Sequence, residues 1–177
     1  MKRRKAILNM FIIAGGTMFI PSCITGNEKA SIALKKISIS AGQEELLAAI
    51  AATLIPRTDT LGAREVGAHL FTLKMLDDCY EKEDQEKFVR GLEELEKSTK
   101  KRFGNSFVKC TDAQKETVLR DVENKGAWSD DVFEFYKIMK EKTIQGYLTS
   151  EYVVVNIQKY ELIPSVKYDG YAPVKNT

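Results

Sequence analysis

From Ser40 onward the apolar positions recur with the period of an α-helix, and the polar residues between them gather into caps and turns. Ser40 followed by Gln43 fits a reciprocal cap, and Leu46, Leu47, Ile50, Leu54 and Ile55 then keep helical spacing until Pro56. This predicts a first helix over about residues 41–55, followed by the turn-forming residues Thr58, Asp59, Thr60 and Gly62. Val66, Leu70, Leu73, Met75 and Leu76 predict a second helix ending near Cys79 and Tyr80. Phe88, Leu92 and Leu95 predict a third that runs toward Phe103 and stops at Gly104. Its other side, with Glu93, Glu94, Glu96, Lys97, Lys100 and Lys101, reads as a solvated face. Thr111 with Gln114 repeats the reciprocal cap and opens a fourth helix through Val118, Leu119 and Val122. Ser129 caps a fifth, in which Val132, Phe133, Tyr136, Met139, Thr143 and Tyr147 fall to one side. Val153, Val154 and Val155 would suit a strand, but their helical surroundings favour a short sixth helix over Glu151–Gln158. From Tyr160 to Thr177, Pro164, Gly170 and Pro173 predict an extended tail laid over a surface. With no alternating strand pair and no internal repeat, the expected fold is all-α, a compact irregular bundle of five or six helices.

The first residues have a different character. Lys2, Arg3, Arg4 and Lys5 precede an apolar run, Ala6 to Ile20, that falls short of the roughly 20 apolar residues a spanning helix needs. Adjacent Arg3 and Arg4 resemble a twin-arginine export signal, and Ile20, Pro21, Ser22 and Cys23 resemble a lipobox whose cysteine is lipidated. The expected organisation is an export signal over 1–22, a tether over 23–39 and one helical domain over 40–177. Such a chain would be exported and lipid-anchored at the periplasmic face of a bacterial membrane. Losing residues 1–22 removes four basic residues and no acidic one, which leaves 23 basic against 25 acidic, a net of −2. A nucleic-acid partner is therefore not expected, since phosphate binding needs a basic excess on one face.

The inventory of reactive side chains is thin. His69 is the single histidine, so neither a site of several imidazoles nor a Cys-x-x-Cys-His haem attachment can be assembled. Three cysteines, one of them in the lipobox, fall short of the four that an iron–sulfur cluster usually takes. His69 lies among Ala68, Leu70 and Phe71, where a packed helix residue is the ordinary reading. The doublets Asp77–Asp78 and Asp130–Asp131 read as solvent-facing or as helix N-terminal residues, because neighbours on a helix point about 100° apart. No catalytic, metal-binding or cofactor-binding residue is expected in this chain. Cys79 and Cys110 could pair as a disulfide in an oxidising compartment, remain buried free thiols, or bond to a partner chain. The aromatic residues differ: Tyr136, Tyr147, Tyr152, Tyr160, Tyr168 and Tyr171 crowd into the last third, where they either form an interface, at which tyrosine is enriched, or pack the tail onto its own bundle.

One ordered set of residues resembles a known family. Leu54, Ile55, Pro56, Arg57, Thr58, Asp59 and Thr60 with Gly62 and Ala63 are similar to the signature of subunit 3 of membrane-bound gluconate 2-dehydrogenase. The likeness continues through Met75, Leu76, Asp78, Cys79, Tyr80, then Phe88, Gly91, Leu92, then Phe103, Gly104, Phe107. Gly146, Tyr147, Thr149, Ser150, Glu151 and then Tyr160, Glu161, Pro164, Tyr168, Gly170 close it. The sequence departs from the family around His69, and at Leu61 where a proline is common. What the resemblance implies is a noncatalytic small subunit that binds, helps export and anchors a large flavoprotein of the glucose-methanol-choline type. FAD would lie in that partner, and haem c in a cytochrome c subunit where one is present. Arg57 and Asp59, with Tyr147, Tyr152, Tyr160, Tyr168 and Tyr171, are the candidate partner interface. The alternative is a free-standing periplasmic lipoprotein that binds a carbohydrate or another protein.

Overall fold

The computed structural model describes residues 29–160; Arg3, Arg4, Cys23, Tyr168 and Tyr171 lie outside the described residues. Five α-helices follow one another: α1 (Ala41–Leu54), α2 (Ala68–Cys79), α3 (Lys82–Phe103), α4 (Asp112–Glu123) and α5 (Asp130–Leu148). A 3-10 turn, Phe107–Lys109, separates α3 from α4, and a π-helical turn, Tyr152–Ile157, follows α5. No strand occurs among the described residues, and the all-α expectation holds.

The helix starts are set by the caps that the sequence carries. Ser40 Oγ accepts from the Gln43 amide while Gln43 Oε1 accepts from the Ser40 amide at 2.9 Å. Thr111 and Gln114 repeat the arrangement at α4, and Ser129 Oγ accepts from the Val132 amide at α5. Gly104, in the left-handed region at φ 73°, ends α3.

Six consecutive residues of α1, Leu46 to Ala51, are buried, so this helix runs through the interior. It meets α2, α4, α5 and the 3-10 turn. The longest contacts run along α5, which lies between α2 and α3. Two glycines permit that packing. A Cβ on Gly91 of α3 would stand 2.6 Å from the Phe135 Cβ and overlap the Asp131 carbonyl oxygen, both on α5. A Cβ on Gly146 of α5 would stand 2.7 Å from the Phe71 ring on α2. Beside the first contact Phe88 and Phe135 meet edge to face, with centroids 4.8 Å apart.

Four expectations are corrected or refined. Phe135 is the fully buried ring of α5, whereas Phe133 is half-buried with the Lys125 ammonium 4.7 Å above it. Because α5 is covered on two sides, its buried face is wider than one stripe. Asp77 is not solvent-facing: it is fully buried near the end of α2. Its carboxylate accepts from the amides of Lys35 (2.9 Å), Lys36 (2.7 Å) and Ile37 (3.0 Å). Residues 29–39, the described part of the expected tether, therefore lie against the helices, with Ile39 buried and Ile32, Leu34 and Ile37 packed on the core. The sixth helical segment is present, but it is wound as a π-helix.

Candidate partner interface

Pro56 ends α1, and the backbone then turns through Arg57, Thr58, Asp59 and Thr60, all exposed. The turn closes on itself, with the Thr58 amide on the Thr60 carbonyl (3.1 Å) and the Ala63 amide on the Ile55 carbonyl (2.9 Å). Its far side is fixed by two residues of the C-terminal end. The Tyr147 hydroxyl donates to the Leu61 carbonyl at 3.0 Å, and the Leu61 amide donates to the Tyr152 hydroxyl at 3.4 Å. Both backbone groups of Leu61 are thus satisfied by side chains 86 and 91 residues away.

This geometry sorts the predicted interface residues. Arg57 and Asp59 stand on the exposed turn, next to the corner that Tyr147 and Tyr152 hold. Tyr147 and Tyr152 are half-buried and engage their own chain with their polar tips. Tyr160 is exposed, while Tyr168 and Tyr171 lie outside the described residues.

Sequence reasoning missed the aliphatic members of this surface. Among the described residues every large hydrophobic that is exposed lies between Ile144 and Tyr160: Ile144, Leu148, Val155, Ile157 and Tyr160. Ile144 and Leu148 sit one turn apart on α5, and Val155 and Ile157 belong to the π-helical turn that turns Val153 inward. The π winding comes from hydrogen bonds that skip one residue further, such as Gln158 amide to Val153 carbonyl at 2.9 Å. A stretch that is apolar on both its buried and its open side has no single-face pattern, which is why the valine run looked strand-like.

Burial holds the His69 imidazole below its usual pKa, with Glu44 opposing and Arg64 adding to that effect. Burial raises the Cys110 thiol, and Glu96 adds to it. Cys79 is exposed at the end of α2, Cys110 is buried, and both are free thiols in this structure. The Lys140 ammonium bonded to Glu123 holds that carboxyl low, while burial and Glu123 push the Tyr136 phenol well above its ordinary value. Among the described residues no group of three or more His, Cys, Asp or Glu is placed to hold a metal, and no helix is long and apolar enough to cross a membrane.

No curated protein and no solved structure matches the chain. The sequence model of gluconate 2-dehydrogenase subunit 3 matches residues 41–164, from the first residue of α1 to beyond the π-helical turn. The chain belongs to the gluconate 2-dehydrogenase subunit 3 family and is, by that membership, a subunit of a dehydrogenase complex.

Proposed function

We propose that this chain is a noncatalytic small subunit that binds a flavin-dependent sugar or sugar-acid dehydrogenase, helps to export it and anchors it to the membrane. The family match over residues 41–164 carries this reading. Two features support it. With one histidine and three cysteines, the chain has few ligands of its own for a redox centre. Among the described residues the exposed large hydrophobics collect between Ile144 and Tyr160, where a partner could bury them.

In this reading FAD, and haem c where a cytochrome subunit is present, belong to the partners. Export rests on Arg3 and Arg4, and anchoring on the lipidated Cys23. The Arg57–Thr60 turn and the Ile144–Tyr160 surface share one corner of the molecule through Leu61, and they form the docking face.

Affinity capture of the tagged chain, followed by mass spectrometry, should recover a large flavoprotein. The chain purified by itself should show neither flavin absorbance nor dye-reducing activity with a sugar. Tightly held flavin or turnover by the lone chain would end this proposal, and capture of a carbohydrate or an unrelated envelope protein in place of a flavoprotein would favour a free-standing binding module.

A further inference from the structure

Residues 29–39 have no regular structure of their own, yet they are held at a few defined points. Lys29 and Ser40 form an isolated antiparallel bridge, with the Ala30 amide on the Ile39 carbonyl at 3.0 Å. Ser31 donates to the Glu44 carboxylate of α1 from its amide (2.6 Å) and its hydroxyl (2.7 Å). Three successive amides, of Lys35, Lys36 and Ile37, converge on the Asp77 carboxylate of α2. Bonds from this segment to helix side chains thus end on two carboxylates, Glu44 half-buried and Asp77 fully buried.

Between those points Ile32, Leu34 and Ile37 pack on the core and Ile39 is buried, but the segment does not fill the space around it. A cleft of about 530 Å³ opens inside its own loop, and another of about 320 Å³ lies between it and α3. Gln85 of α3 reaches the carbonyls of Leu76 (2.9 Å), Asp77 (3.3 Å) and Tyr80 (3.0 Å), so the end of α2 is secured without the segment.

We propose that residues 29–39 are a strap that opens as a unit while the five helices stay folded, with Asp77 as its latch. Hydrogen bonds to a charged group are about twice as strong as neutral ones, and three of them on one buried carboxylate make Asp77 the main polar hold on a segment whose apolar side chains, Ile32, Leu34, Ile37 and Ile39, also rest on the core. Opened, the eleven residues would span up to about 35–40 Å and lengthen the reach between the helical body and whatever lies N-terminal to it. The opening itself does not depend on the function proposed above.

Hydrogen exchange on the full-length chain tests this. In Asp77→Asn, the amides of residues 30–39 should exchange at least about tenfold faster than in the wild type, while peptides from α1, α3 and α5 keep their protection. Unchanged exchange in the strap, or acceleration spread equally through the helices, would overturn the proposal. Should the variant fail to fold, the wild-type chain decides: strap amides must open at lower free energy than those of α3 and α5, and equal protection overturns the idea.

Discussion

Asp77 shows how one side chain can join a segment without regular structure to a helical body. Burial raises its pKa, but the amides of Lys35, Lys36 and Ile37, with Lys74 nearby, outweigh that and leave it below the ordinary carboxylate value. A group whose folded pKa is depressed stabilises the fold fully above its unfolded pKa, and loses that contribution as pH falls through the folded value. Thermal melts from pH 7 down to pH 3 should therefore show the wild type losing its advantage over Asp77→Asn, which at neutral pH amounts to about 2–4 kcal/mol. A gap between the two that stays constant on acidification would contradict this account. The carboxylate was the least legible of the important residues. Read as one half of an acidic doublet it looks solvated, and only the return of a segment some 40 residues earlier in sequence gives it partners. His69 and the Asp130–Asp131 pair, whose surroundings are local, were read correctly as a packed residue and as residues of a helix first turn.

At the scale of elements, the helices and their caps were legible because each depends on residues within one turn of the other. Ser40–Gln43 and Thr111–Gln114 both form the reciprocal caps expected of them. Which helix meets which was not legible, since crossing points are decided by small residues whose role appears only across an interface. Gly91 illustrates this. Replacing it with Ala should improve intrinsic helix propensity by about 1 kcal/mol, yet the added methyl would collide with Asp131 and Phe135 on α5. Overpacking of this kind costs roughly 1–3 kcal/mol or more, so Gly91→Ala should lower the melting temperature by several degrees. An unchanged or higher melting temperature would show that α3 and α5 can move apart freely. The π-helical turn was half-legible: helical neighbours predicted a helix, but no local signal distinguishes its wider winding.

At the scale of the molecule, hydrophobic exposure among the described residues is unevenly distributed, and that asymmetry gives the proposed docking face its clearest test. Leu148 and Val155 are each about half exposed, so changing both to Asp removes little packing and should alter stability by under about 1 kcal/mol. Capture of the partner should nonetheless fall by about tenfold or more, as expected when central contacts of an interface are lost. Full capture by the doubly substituted chain would place the interface elsewhere. The tyrosines that first drew notice turn out to divide their work. Tyr147 and Tyr152 secure the chain to itself, and the aliphatic residues beside them remain uncovered.

The grip of two phenols on Leu61 has a mechanical consequence. The corner after α1 and the far end of α5 are distant in sequence, yet neither can shift without breaking a bond that the other supplies. Leu61 thus gives a load applied to Val155 or Ile157 a direct route to the turn that carries Arg57 and Asp59, so a molecule that settles on one of these neighbours also restrains the other.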